Sequence, residues 1–358
     1  MVIEQYTITH KYNFPQQSVD TILPQRFLEQ SLQSLKQVRQ PASRLTQNMQ
    51  QLNSTELTPY NLQLTPNPIT LKPNCQETII VAVDTSTIKI GETNTGIIAA
   101  VRGATTWRQN YAYKYTRLGP FIFHITEENK NQLYSSLERS YFSTSYGSCH
   151  QSSPNIIQMP TRLGSLLERW LQTMLAKTVS GGVLLFDGSL TAGTPETPTQ
   201  RLKETLSDAR KNHTTVLAFS KATTLRSNGI LITEHLPNSN PPYLLETVGF
   251  HSKPPMTLLG DVYVARLNKA NLAFRLDIDR ETPFEQRTDA IQKLLGNDLY
   301  TQSYPETLRL SHILCTFTAN EVLAIKHFIT RKHGLQIINR PDMHKLLFGS
   351  FGCGDVYA

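Results

Sequence analysis

The amino-acid sequence predicts an α/β fold in which a mixed sheet is flanked by helices, with a helical extension at the N-terminus. The stretch GGVLLFDGSL, Gly181–Leu190, is a short apolar run bounded by glycines, which is typical of a strand buried on both faces. Between residues 78 and 125 several strand-like runs follow one another without a helical pattern between them, which indicates antiparallel pairing. Helical patterns on either side of these runs supply the flanking layers.

The composition is that of a globular chain with a substantial core. The 358 residues are 39% hydrophobic and 18% charged, and no uninterrupted apolar stretch reaches the roughly 18 residues that a membrane-spanning helix needs. Met1–Asp20 lacks the basic start and apolar centre of a secretion signal. We therefore expect a soluble, cytoplasmic protein that makes no use of a membrane.

The cysteines and the net charge exclude few classes of function. Cys75, Cys149, Cys315 and Cys353 are scattered without a CxxC pair, which argues against a zinc site and a disulfide framework and predicts free thiols. The net charge of +7 and the isoelectric point near 9.1 would attract a polyanion, but no basic run concentrates that charge. Charge alone does not separate a nucleic-acid-binding protein from an ordinary basic enzyme.

An N-terminal arm and linker are expected over residues 1–75. Apolar residues at helical spacing predict an amphipathic helix between Pro24 and Pro41 and a second helical piece that ends near Leu52. This arm could pack on the main domain or dock another protein. Four prolines between Leu57 and Asn74 predict an irregular connection.

The main domain, residues 76–330, is expected to open with an antiparallel meander. The run Thr78–Asp84 predicts an apolar strand that ends in an aspartate, and Gly96–Val101 is its expected hairpin partner. In Trp107–Tyr115 the alternate residues Trp107, Gln109, Tyr111, Tyr113 and Tyr115 would share one face, which is typical of a strand. Phe121–Ile125 predicts a further strand.

A helix that carries an acid then leads directly into a strand that ends in an acid. Thr161–Val179 has a broad apolar stripe, with Glu168 at its flank, and the buried run that follows ends at Asp187. The remaining predicted elements are a helix over Gln200–Lys211, strands over Val216–Phe219, Asp261–Leu267 and Leu272–Ile278, a helix over Phe284–Leu295 and one helix from Tyr304 through His312 to Ile329. Residues 331–358 form a tail without an assignment.

Three acids therefore lie at the ends or edges of buried elements: Asp84, Glu168 and Asp187. An early meander with an aspartate, then a helix with a glutamate, then a strand ending in a second aspartate is the order in which ribonuclease H-like folds assemble a two-metal site. Two divalent cations about 4 Å apart acidify an attacking water and neutralise charge on a leaving oxygen in phosphodiester hydrolysis. Mg²⁺ and Mn²⁺ prefer oxygen ligands, and an imidazole can complete a Mn²⁺ site.

An ordered set of motifs resembles the NurA nucleases over roughly Ile79–Glu321. The motifs are Ala82–Ser86 (AVDTS), Glu168 in a helix 19 residues before Asp187, Leu185–Leu190 (LFDGSL), Ser220-Lys221 after a strand, Tyr263–Leu267 (YVARL), Phe274–Asp277 (FRLD), and Tyr304-Pro305 followed by His312. Thr85 stands where the family commonly has glycine. A β-branched residue there requires the chain after Asp84 to avoid positive φ.

The resemblance implies a ribonuclease H-like core, metal-dependent cleavage of DNA from a 5′ end, and endonuclease action on single strands. It also implies a homodimer and a HerA-type hexameric ATPase as partner. Residue by residue, it implies that Asp84, Glu168, Asp187 and His312 bind two Mn²⁺ or Mg²⁺ ions and that Tyr304 positions substrate or water. Lys221, and with less support Arg266 and Arg275, would contact the nucleic acid.

Alternative interpretations of these residues stay open. The position of His312 beside Leu308 and Cys315 also suits a core histidine, and Tyr304 also suits a packing residue at a helix start. Lys221 could be a solvated lysine, and the two arginines could be ordinary strand-face charges. The chain as a whole could be an inactive DNA-binding or scaffold subunit. Asp84–Thr87 also resembles a phosphate loop of actin-like and sugar-kinase phosphotransferases, although the second, glycine-rich segment of that class is not evident.

Overall fold

A computed structural model describes residues 22–36, 63–65, 67–142, 154–234, 236–249, 252 and 254–338. Within these ranges, no helix is both long enough and apolar enough to cross a membrane. The helices are α1 (Ile22–Lys36), α2 (Lys130–Phe142), α3 (Met159–Thr178), α4 (Thr199–Lys211), α5 (Phe284–Asn297), α6 (Glu306–Cys315) and α7 (Ala319–His333).

The strands vary from two residues to fifteen. They are β1 (Gln63–Leu64), β2 (Ile69–Thr70), β3 (Ile80–Glu92), β4 (Gly96–Gln109), β5 (Ala112–Thr126), β6 (Val183–Asp187), β7 (Thr191–Ala192), β8 (Thr215–Ser220), β9 (Arg226–Ser227), β10 (Ile230–Leu231), β11 (Tyr243–Val248), β12 (Thr257–Leu258), β13 (Gly260–Arg266), β14 (Phe274–Asp279), β15 (Tyr300–Thr301) and β16 (Tyr304–Pro305).

One mixed sheet organises the chain, with the order β1-β11-β13-β14-β8-β6-β3-β4-β5 and with β2 also paired to β11. The strands β3, β4 and β5 form an antiparallel meander, after which β6 pairs parallel to β3 and β8 pairs parallel to β6. Helix α3 connects the meander to β6, and α4 connects β6 to β8. This connectivity is the ribonuclease H-like arrangement, so the predicted fold class is confirmed.

Helices cover both faces of the sheet, because alternate residues of its central strands are apolar on each side. Val81 and Val83 of β3 face the core layer that contains Leu166 and Leu167 of α3. Ile80 and Ala82 belong to the opposite core layer, which contains residues of α5 and α6. Asp84 follows Ile80 and Ala82 in the alternation of β3, so its side chain points to the α6 side of the sheet.

Two predictions about the meander were wrong in detail. Strand β3 does not end at Asp84 but continues to Glu92, paired with β4 along its length. Thr85 is therefore a strand residue, which suits its β-branched side chain. The alternating run Trp107–Tyr115 is not one strand either, because Asn110 and Tyr111 have positive φ values of 52° and 60° and turn the chain from β4 into β5. Each of the two strands preserves the alternation, which conceals the turn.

The predicted helix from Tyr304 to Ile329 is two helices. Tyr304 and Pro305 form the short strand β16, α6 ends at Cys315, and α7 begins at Ala319. Thr318 caps α7, and Glu321 completes a capping box with it. Thr316 and Thr318, between the two helices, have extended backbone conformations. The chain therefore changes direction there, and α6 and α7 pack at different positions on the meander.

The N-terminal arm packs on the main sheet. Leu23 and Phe27 of α1 are fully buried, and the backbone N–H of His124 in β5 donates to Ser34 Oγ at 2.9 Å. The connection expected to be irregular adds β1 and β2 to the far edge of the sheet. The predicted second helical piece near Leu52 and most of the tail lie outside the described residues, whereas α7 runs across the expected boundary at residue 330.

Candidate metal centre

Two aspartates meet at neighbouring parallel strands. In the β3–β6 ladder Val83 is opposite Phe186, so the next residues along, Asp84 and Asp187, are adjacent. Asp187 is the last residue of β6, and strand order brings β8 and the following Lys221 to the same edge. The centre therefore forms where the parallel pairing of β3 with β6 ends, on the side of the sheet that α6 covers.

Helix α6 brings His312 to Asp84. His312 Nδ1 lies 2.7 Å from Asp84 Oδ2, and the backbone N–H of Thr85 donates to Asp84 Oδ1 at 2.7 Å. The Asp84 residue is only 5% exposed, whereas the His312 side chain is 52% exposed. His312 is therefore not a fully buried core residue. It connects a buried carboxylate with solvent.

Lys221 lies between the two aspartates. Its Nζ is 2.7 Å from Asp187 Oδ2 and 3.8 Å from Asp84 Oδ2. Its side chain remains 39% exposed, so the ammonium is not confined to the interior. The lysine expected to contact a phosphate thus pairs with carboxylates, where it supplies part of the positive charge they require.

Glu168 approaches the same centre from the opposite layer. Its Oε2 accepts from Thr85 Oγ1 at 3.4 Å and its Oε1 from Gln172 Nε2 at 2.9 Å. Gly164, one helical turn earlier, permits this approach, because a Cβ there would lie 2.6 Å from Thr87 Cγ2. Burial raises the Glu168 pKa to about 7; the charge of Arg169 opposes that rise, and the charges of Asp84 and Asp187 add to it.

Asp187 shows the same electrostatic pattern. Burial raises its pKa, the hydrogen bond and charge of Lys221 oppose that rise, and the charge of Asp84 adds to it. The three carboxyl groups thus repel one another in a partly desolvated place, and the charges of Lys221 and Arg169 compensate that repulsion only in part. A cluster of this kind fits a divalent cation, because oxygen ligands and excess negative charge are what Mg²⁺ and Mn²⁺ require.

Tyr304 combines a packing role with a polar group beside the acids. Its ring packs edge-on against Phe219 and Phe274, and the residue is 8% exposed. Its hydroxyl is buried and lies beside the Asp187 carboxyl. Burial and the charges of Asp187 and Asp84 raise the Tyr304 pKa far above its usual value, so the phenol keeps its proton.

The tightest group of potential metal ligands differs from the predicted set. Asp84, His312 and Cys315 each offer one ligand atom, and these atoms lie within 4.8 Å of one another. Glu168 and Asp187 are electrostatically coupled to Asp84 but fall outside this group. Cys315 is fully buried, and its only sequence signal is the spacing of three residues from His312 on one helix.

The two arginines proposed for nucleic-acid contacts have local partners. Arg266 bonds the Ala270 carbonyl and the Asn271 side chain in the turn between β13 and β14. Arg275 is buried and makes two 2.7 Å hydrogen bonds to Asp277. These contacts match the interpretation of both arginines as structural charges.

Asp277 was missed by the sequence reasoning and supports the centre indirectly. It is fully buried, and its Oδ2 accepts from the backbone N–H of Leu190 at 3.0 Å. Leu190 lies three residues after Asp187, so the Arg275–Asp277 pair anchors the turn that follows β6. The sequence signal is that Arg275 and Asp277 are two residues apart in a strand and share one face.

Fold and site together define a ribonuclease H-like protein with an acidic centre. The chain is similar in structure to the NurA nuclease from Sulfolobus solfataricus, with 14% identity, 74% of this chain and 87% of that chain covered, and a TM-score of 0.43. It is also similar to endonuclease V from Bacillus subtilis, with 10% identity, 74% and 89% covered, and a TM-score of 0.30. No family model and no curated protein matches the sequence.

Proposed function

We propose that this protein is a divalent-metal-dependent nuclease that cleaves DNA. The observation that carries the proposal is the convergence of Asp84 and Asp187 on adjacent parallel strands, with Glu168 and His312 arriving from two different helices. A divalent ion held there would acidify an attacking water and neutralise charge on the leaving oxygen of a phosphodiester. The basic net charge of +7 favours a polyanionic substrate.

The chain's own residues have definable roles in this chemistry. Asp84, Glu168, Asp187 and His312 would hold the ions. The Lys221 side chain is 39% exposed, so its ammonium has room to leave Asp187 and would pair with a phosphate if a cation occupied the acids. Tyr304, which stays protonated, donates a hydrogen bond to substrate or water.

The finer parts of the proposal rest on the motif resemblance. They are Mn²⁺ as the preferred ion with two ions bound, cleavage from the 5′ end, endonuclease action on single strands, a cytoplasmic homodimer, and work alongside a HerA-type ATPase in DNA end processing. The order of the motifs from Asp84 to His312 supports them together.

The test is cleavage of single-stranded DNA labelled separately at the 5′ and the 3′ end, with Mn²⁺ or with EDTA. Asp187→Asn should slow cleavage by at least roughly a hundredfold, or about 2.7 kcal/mol, because a neutral amide is a poor ligand for a hard cation. Asp208→Asn, on the surface of α4 beside Lys211, is the matched control and should cleave normally. Cleavage that resists EDTA, or an Asp187→Asn variant with normal activity, would show that the centre is misplaced.

A further inference from the structure

One cluster in the described chain mixes three kinds of metal ligand. Asp84 offers a carboxylate, His312 an imidazole and Cys315 a thiol, with the three ligand atoms within 4.8 Å of one another. Asp84 and Cys315 are buried, and His312 opens the cluster to solvent. An ion could therefore enter past the histidine and reach two shielded ligands.

The helix and the sheet bring these ligands together without distortion. His312 and Cys315 are three residues apart in α6, which places them on one helix face. Asp84 stands opposite that face in β3, already in contact with His312. The Cys315 thiol donates to the His312 carbonyl at 3.2 Å, a weak bond that a metal–sulfur bond would replace.

The donor types decide which ion this part of the centre prefers. Mg²⁺ requires oxygen ligands, whereas thiolate and imidazole favour Zn²⁺, which takes four ligands in tetrahedral geometry. The sequence contains no zinc-site motif, since none of its cysteines is close to another. The histidine and aspartate that accompany Cys315 become its neighbours only through the fold.

We propose that Cys315 is also a metal ligand. Together with Asp84 and His312 it forms a site that binds Zn²⁺ in preference to Mg²⁺. When the zinc–sulfur bond forms, the thiol proton leaves to solvent. Asp84 and His312 belong both to this set and to the proposed nuclease centre, so Zn²⁺ bound here would withdraw both residues from that centre and inhibit cleavage. The predicted inhibition of cleavage rests on the proposed nuclease function. The binding of Zn²⁺ to these three residues does not depend on nuclease activity.

The test uses Co²⁺ as a spectroscopic substitute for Zn²⁺. The wild-type protein with Co²⁺ should show a thiolate-to-cobalt charge-transfer band in the near ultraviolet, and one equivalent of Zn²⁺ should remove it. Cys315→Ser should lose the band and bind Zn²⁺ more than roughly tenfold more weakly, since even outer partners of a metal ligand contribute that much.

The control is a triple variant, Cys75→Ser/Cys149→Ser/Cys353→Ser, in which Cys315 is the one cysteine that remains of the four in the sequence. It should keep the band in full. Because it leaves the buried position intact, it is informative even if Cys315→Ser does not fold. A triple variant without the band, or a Cys315→Ser variant with it, overturns the inference.

The two proposals fail separately. Loss of the band together with intact Mn²⁺-dependent cleavage removes the zinc site and leaves the nuclease. A cobalt–thiolate band in a protein that does not cleave DNA supports the zinc site and removes the nuclease.

Discussion

Lys221 is the residue whose position is most informative at the candidate centre. Its ammonium lies 2.7 Å from Asp187 and 3.8 Å from Asp84, and it compensates part of the charge of both acids. A lysine in that position competes with a divalent cation for Asp187. The same side chain, once released, is free to contact a phosphate.

Lys221→Met should therefore strengthen metal binding and weaken catalysis at the same time. Without the competing ammonium, Mn²⁺ affinity should rise several-fold, or about 1 kcal/mol, as expected for a partly exposed ion pair. Cleavage should slow, because the phosphate contact is lost. Calorimetric titration with Mn²⁺ measures the first effect, with the exposed Lys211→Met as the control. Weaker Mn²⁺ binding by Lys221→Met would argue against competition.

At the residue scale, the sequence predicted those site residues that the order of strands and helices along the chain brings together. The sequence indicates Asp84, Glu168 and Asp187 because each is expected to end or border a buried element, although β3 continues past Asp84. His312 is indicated by the motif resemblance and not by its own position. Cys315 and Asp277 are not indicated in either way, because their significance depends on contacts between segments far apart in the chain. The lysine–aspartate pairing of Lys221 was missed for the same reason.

The turn after β6 depends on the neighbouring strand β14. Arg275→Met should destabilise the protein by about 3–5 kcal/mol, because it leaves the fully buried Asp277 without its cation. Urea unfolding measures this loss, with the exposed Arg139→Met as a control expected to change stability little. The double variant Arg275→Met/Asp277→Leu should lose less than Arg275→Met alone. A single variant that loses under about 1 kcal/mol would show that the pair does not support the turn.

At the element scale, the pattern of apolar residues predicted most helices and strands but not every boundary. The turn at Asn110-Tyr111 was hidden because alternation continued on both sides of it, and the length of β3 depends on its pairing with β4. The break between α6 and α7 had a local signal, the capping box of Thr318 and Glu321, which a longer apolar pattern obscured.

At the scale of the whole molecule, Glu321 connects helix α7 to the β3–β5 meander. It accepts from Arg102 of β4 and Arg117 of β5, while it also caps α7. Burial alone would raise the Glu321 pKa, but hydrogen bonds from Arg102, Thr318 and Arg117 and the charge of Arg102 outweigh it and lower the pKa from 4.5 to about 2.

A folded-state pKa below the unfolded value means that the folded chain binds fewer protons, so the stabilisation is present above pH 4.5 and is lost as the pH falls toward 2. Glu321→Gln should therefore be less stable than wild type near neutral pH, and the difference in urea midpoint should shrink over that acid range. Glu29→Gln on α1, an exposed acid, provides the comparison. A difference that stays constant with pH would exclude this role for Glu321.

The fold as a whole could be predicted because meander, helix and parallel strand each have their own sequence pattern in a fixed order. The placement of the terminal segments could not, since β1 and β2 are two-residue strands whose pairing with β11 has no periodic signal. The packing of α1 on β5 was one of two open interpretations, and the burial of Leu23 and Phe27 together with the hydrogen bond from His124 to Ser34 supports it over a free docking surface.

The most direct test of the account is anomalous diffraction at the manganese edge from crystals grown with Mn²⁺. We predict anomalous peaks within bonding distance of the carboxylate oxygens of Asp84, Glu168 and Asp187, with Lys221 Nζ displaced from Asp187. The absence of a peak among these three acids, with Lys221 still paired to Asp187, would contradict it.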